Sequence, residues 1–415
     1  MTVESRVIIV GGGLAGLCCA RVLNEAGVDF LLLEGSDSIG GRIRTDEIDG
    51  FLLDRGFQVF LTSYPEAKQV LDYDELELNR FEPGAVVRFA GNFHKLSDPW
   101  RQPFSAIGTL FTPIGSLLDK VRMGSLRSLV LQGSLADQFR KTETTTQNAL
   151  AEAGFSGEMI DRFFRPFLGG IFLERELSTS SRMFNFIFRM FSTGDACLPA
   201  TGMRAIPLQI ASKLPQDKIR TNCRVEDVSD GLVQLEGGEV LSASTVVVAT
   251  DGATAARLLG VADHKTGVGV TCLYYALNKA PIEDPILVLN GEGKGLINNI
   301  CFPTRVASGY GPTGRDLASV TVLGSGHDMA EVEHKVRSEL EEWFGHEVSE
   351  WKHLRTYDIP YALPRQEPPA LAEPEREVRV RPGIYVCGDH LDNASIQGAM
   401  VSGRRAAEAV IEDLK

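Results

Sequence analysis

The sequence predicts an α/β fold organised on a parallel sheet. Three observations carry this. The β-branched run Arg6-Val7-Ile8-Ile9-Val10 leads straight into a glycine turn. A helical pattern follows the turn, and a second apolar run, Val28 to Leu33, stops at Glu34. Much later, Ser244 to Thr250 is a continuous apolar run of the kind buried on both faces. Strands alternating with helices in this way define the class.

The first element to justify is the turn, Gly11-Gly12-Gly13-Leu14-Ala15-Gly16. Gly11 permits the sharp exit from the strand. Gly13 has no Cβ, so the backbone can approach a pyrophosphate. Gly16 lets the helix lie close on the strand, and Ala20 one turn later suits the same contact. The helix-start N–H groups, beginning at Leu14 and Ala15, face the phosphates, and the helix dipole favours their charge. Glu34 ends the second strand, where a carboxylate accepts ribose hydroxyls and disfavours a 2′-phosphate. The pattern predicts a dinucleotide site, and the motif alone leaves FAD and NAD open.

The whole chain sets limits. Its 415 residues predict two or three domains, and 43% hydrophobic content supplies their cores. A net charge of −13 with no Lys/Arg stripe argues against nucleic acid. Seven cysteines, none in a CxxC pair, predict buried thiols with neither disulfide framework nor metal site. The first strand starts within a few residues of Met1, which predicts no leader peptide, and no apolar run is long enough to span a bilayer. The expectation is a cytoplasmic protein, soluble or at most peripheral to a membrane.

After Glu34, Gly40 and Gly41 allow a sharp backbone path, and Arg42 brings a guanidinium toward phosphate oxygens. Residues 61 to about 200 mix polar and apolar residues at helical periods: Ser63–Glu75, Gln147–Ala153, Gly157–Phe167 and Arg182–Phe191. Val86–Phe89 and Asn92–Lys95 read as a hairpin. The stretch 104–131 carries many apolar residues and few charges. Its first reading is a pair of core-facing amphipathic helices, and its second is an apolar, helix-lined entrance resting on a membrane surface. From Pro199 the chain returns to the first architecture, with a helix at Arg204–Leu214 and strands at Ile219–Arg224 and Val225–Ser229. Strands are then expected at Val268–Leu277, Ile286–Leu289 and Ala318–Leu323, with a helix at Ala330–Phe344. The proline-rich run Ile359–Pro364 reads as an ordered crossing back to the first domain. The chain closes on Gly383 to Asp389, then Gly398-Ala399-Met400-Val401-Ser402-Gly403 and a terminal helix. Gly388-Asp389 ends a strand, and a helix starts near Ser395-Ile396-Gln397.

Four stretches together carry a family resemblance: Val10 to Glu34, Gly40-Gly41-Arg42, Leu53 to Phe60, and Gly383 to Ala407. The sequence resembles the FAD-dependent oxidoreductases that group amine oxidases, protoporphyrinogen oxidases and phytoene-type carotenoid desaturases. The resemblance implies a Rossmann-like FAD-binding domain of the GR2 type, assembled from residues 1–60, 200–260 and 380–415. It implies an inserted α+β substrate domain, with a helical insertion, from 61–199 and 261–379. FAD is the implied cofactor. The implied contacts are Gly11, Gly13, Leu14, Ala15, Gly16, Glu34, Gly41, Arg42, Val225 through its backbone, Gly388, Asp389 and Ile396. Gly56, Phe57 and Gln58 are implied to pass beside the isoalloxazine ring.

Two departures bear on the branch. Many amine oxidases carry a Lys beside flavin N5, and by alignment that position is Thr271 here. They also carry an aromatic residue before the final helix, where this chain has Ser395. Losing both puts amine oxidation in doubt. Arg165 to Phe172 and Tyr361 to Pro364 look more like the desaturase and protoporphyrinogen oxidase side. The expectation is a dehydrogenase, desaturase or isomerase acting on a hydrophobic small molecule such as a carotenoid or tetrapyrrole. The alternatives are an amine oxidase with a non-standard pocket and a non-catalytic flavin-binding protein. Candidate polar residues near the ring are His390, Tyr361 and Arg165, each with an equally simple structural role.

Overall fold

A computed structural model describes residues 7–104, 106–261 and 267–415. Arg6, expected to begin the first strand, and the Ile107 side chain lie outside the described residues. Four strands make the centre of the first sheet: β1 (Val7–Val10), β2 (Phe30–Leu33), β3 (Thr245–Val248) and β4 (Ile384–Val386). Their order is β2-β1-β3-β4, all parallel, with Ile219–Arg220 outside β2 and Arg379–Arg381 outside β4. Every residue of the four is buried, because helices or a second layer cover both faces.

Chain direction sets the ligand position. The β1–β2 crossover runs to one side of β1 and β3 lies on the other, so the order reverses at the C-terminal ends of β1 and β3. Open α/β sheets bind ligands at such a point. Helix α1 (Leu14–Glu25) leaves β1 there, and the C-terminal helix Ile396–Asp413 packs across it. The approach is close. A Cβ on Gly16 would collide with the Gly11 carbonyl oxygen, and one on Gly403 with the Ala15 carbonyl oxygen.

The second sheet has seven strands, in the order Lys352–Pro364, Gly267–Leu277, Asp316–Leu323, Ile297–Cys301, Leu287–Asn290, Gly84–Phe89 and Asn92–Ser97. Only the Leu287–Asn290 and Gly84–Phe89 pair is parallel. Asp54, at the end of the short hairpin Thr45–Ile48/Phe51–Asp54, ties this sheet to the first unit. Its carboxylate accepts from Thr45 Oγ1, the Met203 amide and Tyr310 Oη, and its carbonyl accepts from Tyr274 Oη.

Several expectations need correction. The run 359–364, read as a crossing, belongs to the strand Lys352–Pro364. That strand sits on the sheet edge, where Pro360 and Pro364 can leave a ladder amide missing. The expected helix at Ser63–Glu75 shrinks to Pro65–Val70. Pro65 sets its first turn, and the Asp72 carboxylate accepts from the Asp74 and Glu75 amides, which favours a turn over more helix. Ile219–Arg224 is a strand only at Ile219–Arg220, because Asn222 turns the chain with φ of 55°. The stretch 157–167 is broken by a π-turn at Ile160–Phe164 before helix Arg165–Phe172.

The largest correction concerns 104–131. It holds a short helix, Ala106–Thr109, and α2 (Leu117–Leu131), started by a Ser116–Asp119 capping box. Ile114, Leu126 and Val130 reach the core, while Phe104, Phe111, Leu117, Leu118, Val121 and Leu129 are exposed. The core-facing reading fails for those six. No helix among the described residues is long and apolar enough to cross a membrane.

Buried acids make the fold pH-sensitive: burial pushes the Asp54 carboxyl up to about 6, and Asp392 behaves alike. Burial pushes the Asp392 carboxyl up to about 6, although the Asn393 backbone and side-chain amides both donate to it. A raised carboxyl pKa means that the folded state binds the proton more tightly. The associated stability is complete below about pH 4 and is lost as pH rises toward 6. Asp392→Asn keeps an acceptor for both amides. It should flatten that part of the Tm–pH curve and be about 1–2 kcal/mol more stable than the parent above pH 6, read by thermal unfolding.

Candidate functional site

One cavity of about 1720 Å³ runs from the glycine turn into the second sheet. Ordinary small-molecule pockets are about 300–1,000 Å³, so this one has room for an extended cofactor and a second molecule. At its first end lie Gly11, Gly13, Leu14 and Ala15. Gly11 has φ of 113°, and a Cβ there would meet the Ala249 carbonyl oxygen at 2.7 Å. A Cβ at Gly13 would meet only the Gly41 Cα, at 3.9 Å, so that side of the backbone is open. Helix α1 starts at Gly13 with no side-chain cap and no acid in its first turn. Its amides are left for an anion.

Glu34 also lines the cavity. Its carboxylate is oriented by the Gly12 amide at 2.8 Å and by the Ser36 amide and hydroxyl at 2.8 and 2.7 Å. A carboxylate has lone pairs left for ribose hydroxyls. Val225 lines the same end, with Cys223 and Arg224.

Arg42 and Asp389 meet in the middle. Arg42 Nη2 donates to Asp389 Oδ1 at 2.7 Å and Nη1 to the Ala362 carbonyl at 2.9 Å. The guanidinium lies 5.8 Å from the centre of the Tyr361 ring. Burial alone would lower its pKa, and the Asp389 carboxylate more than reverses this, so the charge is held. The second helix N-terminus arrives beside them: Ser395, Ile396 and Ala399 line the cavity, and Ser395 Oγ accepts from the Gly398 amide. This helix also has no acid in its first turn. Gly56, Phe57 and Gln58 form the opposite wall. Gln58 Nε2 donates to the Arg42 and Arg55 carbonyls, and its Oε1 is buried without a partner.

These features fit FAD. Two uncapped or acid-free helix starts, one guanidinium, one oriented carboxylate and an unpartnered amide oxygen match a dinucleotide diphosphate, a ribose and a ring with N–H donors.

Beyond Gln58 the walls turn apolar: Phe163, Phe167, Ile171, Phe188 and Phe191. Phe163 stacks on Phe167 at 5.4 Å, and Phe167 meets Phe191 at 5.4 Å. One buried amide, Asn299, faces this chamber, bonded to Asn298 Nδ2 and Thr321 Oγ1.

Not every expected residue is in the cavity. Gly16 lies under the turn as a packing position. Tyr361 lines the wall with its hydroxyl buried and unpartnered. His390 sits behind Gly388 and Gly252, and burial lowers its pKa. Arg165 turns to the helix surface, bonding Asp161, Gln147 and the Arg175 carbonyl. Thr271 is fully buried, bonded to the Gly324 carbonyl and Asp358, and its neighbour Val270 faces the cavity instead. Sequence reading missed Asp251, the phenylalanine chamber and Asn299. Asp251 was findable as an N-cap after an apolar strand. The chamber joins residues distant in sequence, with no local signature.

Arg42→Met removes a guanidinium from the cavity wall and leaves the buried Asp389 without that partner. The apoprotein should bind FAD about 10- to 100-fold more weakly, as read by flavin fluorescence titration.

A model of the flavin containing amine oxidoreductases matches residues 14–411. Chloroplastic protoporphyrinogen oxidase of Nicotiana tabacum is 25% identical over 218 residues, which are 52% of this chain and 38% of that protein. Carotenoid 3,4-desaturase of Haloarcula japonica is 37% identical over 86 residues, 19% of this chain and 17% of that one. The matches thus span well under half the length of these relatives. Among solved structures, cyclohexylamine oxidase from Brevibacterium oxydans superposes with a TM-score of 0.74 over 99% of both chains, at 16% identity, a likeness of fold. The family match runs from the first residue of α1 into the last turns of the C-terminal helix, so the chain belongs to the flavin-containing amine oxidoreductase family, and FAD is its cofactor.

Proposed function

We propose that the protein acts on a hydrophobic small molecule, of the carotenoid or tetrapyrrole kind, as an FAD-dependent dehydrogenase, desaturase or isomerase. The observation that carries this is the continuity of the cofactor cleft with a chamber walled by Phe163, Phe167, Phe188 and Phe191. Bound FAD supplies the hydride acceptor at N5. The chain's own residues orient and seal. Phe57, Gln58, Val270 and Ile359 line the same cavity. The phenylalanines exclude water and hold a flat or extended apolar body.

The relatives named for protoporphyrinogen and carotenoids agree with this substrate class. The position aligned with the amine-oxidase lysine does not face the cavity, and Ser395 replaces the aromatic wall. Tyr361 lines the same cavity, and burial holds its hydroxyl up at about 12. It stays protonated near neutral pH and can donate but not act as the base.

Anaerobic flavin bleaching decides the substrate class. Detergent-dispersed carotenoids or porphyrinogens should bleach the flavin and a panel of amines should not. Bleaching by amines with peroxide release would replace this reading by amine oxidation. Tyr361→Phe should leave the flavin reduction rate within about threefold. A loss of about a hundredfold or more in stopped flow would assign it proton transfer.

A further inference from the structure

We propose that the mouth of the chamber docks on an anionic lipid surface and takes its apolar substrate from there. This rests on the reading that the chamber receives an apolar molecule. The apolar surface is concentrated. Most of the exposed large apolar side chains among the described residues fall between 100 and 131, while the others are scattered along the chain. Phe104 is 89% exposed and Phe111 84%, values rare for phenylalanine on a free soluble surface. This patch is also the cavity entrance. Trp100, Leu110, Leu117 and Val121 are exposed and line the cavity as well. A substrate leaving an apolar phase there would cross no water.

Charge decides which apolar phase. The chain carries a net −13, yet between 100 and 141 the only acids are Asp119 and Asp137. Asp119 is buried and bonded to Ser116 and Ser156, and Asp137 pairs with Arg140. Around the patch, several cations have neutral oxygens as hydrogen-bond partners. Lys120 donates to the Leu110 and Thr112 carbonyls, Arg127 to Ser192, Lys141 to the Gln138 amide oxygen, and Arg189 to the Val130 and Gly133 carbonyls. Arg127 also lies 5.0 Å from the Trp100 ring centre, a tryptophan half in and half out of the surface. An apolar stripe edged by uncompensated cations and an interfacial Trp matches a leaflet of anionic headgroups. An acidic protein would otherwise be repelled from such a leaflet, so the local cations set the orientation of approach.

Vesicle co-sedimentation of the FAD-loaded protein tests this. Vesicles with about 30% anionic phosphatidylglycerol should bind it at about 0.1 M salt and release it at about 0.5 M. Pure phosphatidylcholine should bind at least about tenfold less. The double variant Phe104→Ser/Phe111→Ser should lose at least about tenfold in binding to the anionic vesicles. Neither side chain lines the cavity, so its flavin spectrum and its bleaching by detergent-dispersed substrate should match the parent. No binding to either vesicle, equal binding to both, or an unaffected double variant would each overturn the proposal. So would a dimer in sedimentation velocity that the double variant dissolves, since the face would then be covered by a second copy. If the substrate reading alone fails, vesicle binding persists while no apolar compound bleaches the flavin.

Discussion

Two glycine contacts hold the site together. Gly16 lies against the Gly11 carbonyl, and Gly403 lies against the Ala15 carbonyl. The first presses α1 onto the strand it leaves. The second presses the C-terminal helix onto the first turn of α1. Between them, two helix starts almost the whole chain apart in sequence open into one cleft. A methyl group at either position must push main chain against main chain, which in a packed interior costs about 1–3 kcal/mol and here also tilts a helix dipole away from the cofactor. The parallel strands beneath, buried on both faces, give the rigid floor that such an approach needs.

This explains which parts were legible in sequence. The turn and Glu34 signal themselves through short-range chemistry: a missing Cβ and an acid ending an apolar run. Gly388, Asp389, Ile396, Val225 and Gly56 to Gln58 could be placed only through the family resemblance, and they line the same cavity. The edge strand 352–364 was not legible, because proline is evidence against a strand until the strand is known to lie on an edge. The fate of 104–131 was not legible either. Helical periodicity states that a face is apolar, not whether protein or something else covers it. The phenylalanine chamber joins residues from separate helices and has no periodic signal of its own.

Arg42 and Asp389 were each expected to touch the cofactor, and they also touch each other. The pair has a physical use. Asp389 is buried, and its carboxylate would be costly without the guanidinium beside it. Paired, they hold each other in place, with the guanidinium charge kept by the neighbouring carboxylate. Preorganised charges of this kind need little rearrangement when the ligand arrives.

The same logic separates the two halves of the cavity. Around the glycine turn, the fixed charges and amides are arranged for one invariant ligand. Past Gln58 they give way to rings at van der Waals spacing, with Asn299 the buried amide among them. Rings select by shape and apolar area. The burial that holds Tyr361 protonated leaves its hydroxyl a donor near neutral pH. On the proposed reading, the walls serve to present a C–H bond to the flavin. The identity of the substrate is written in the shape of those walls more than in any single ionisable residue.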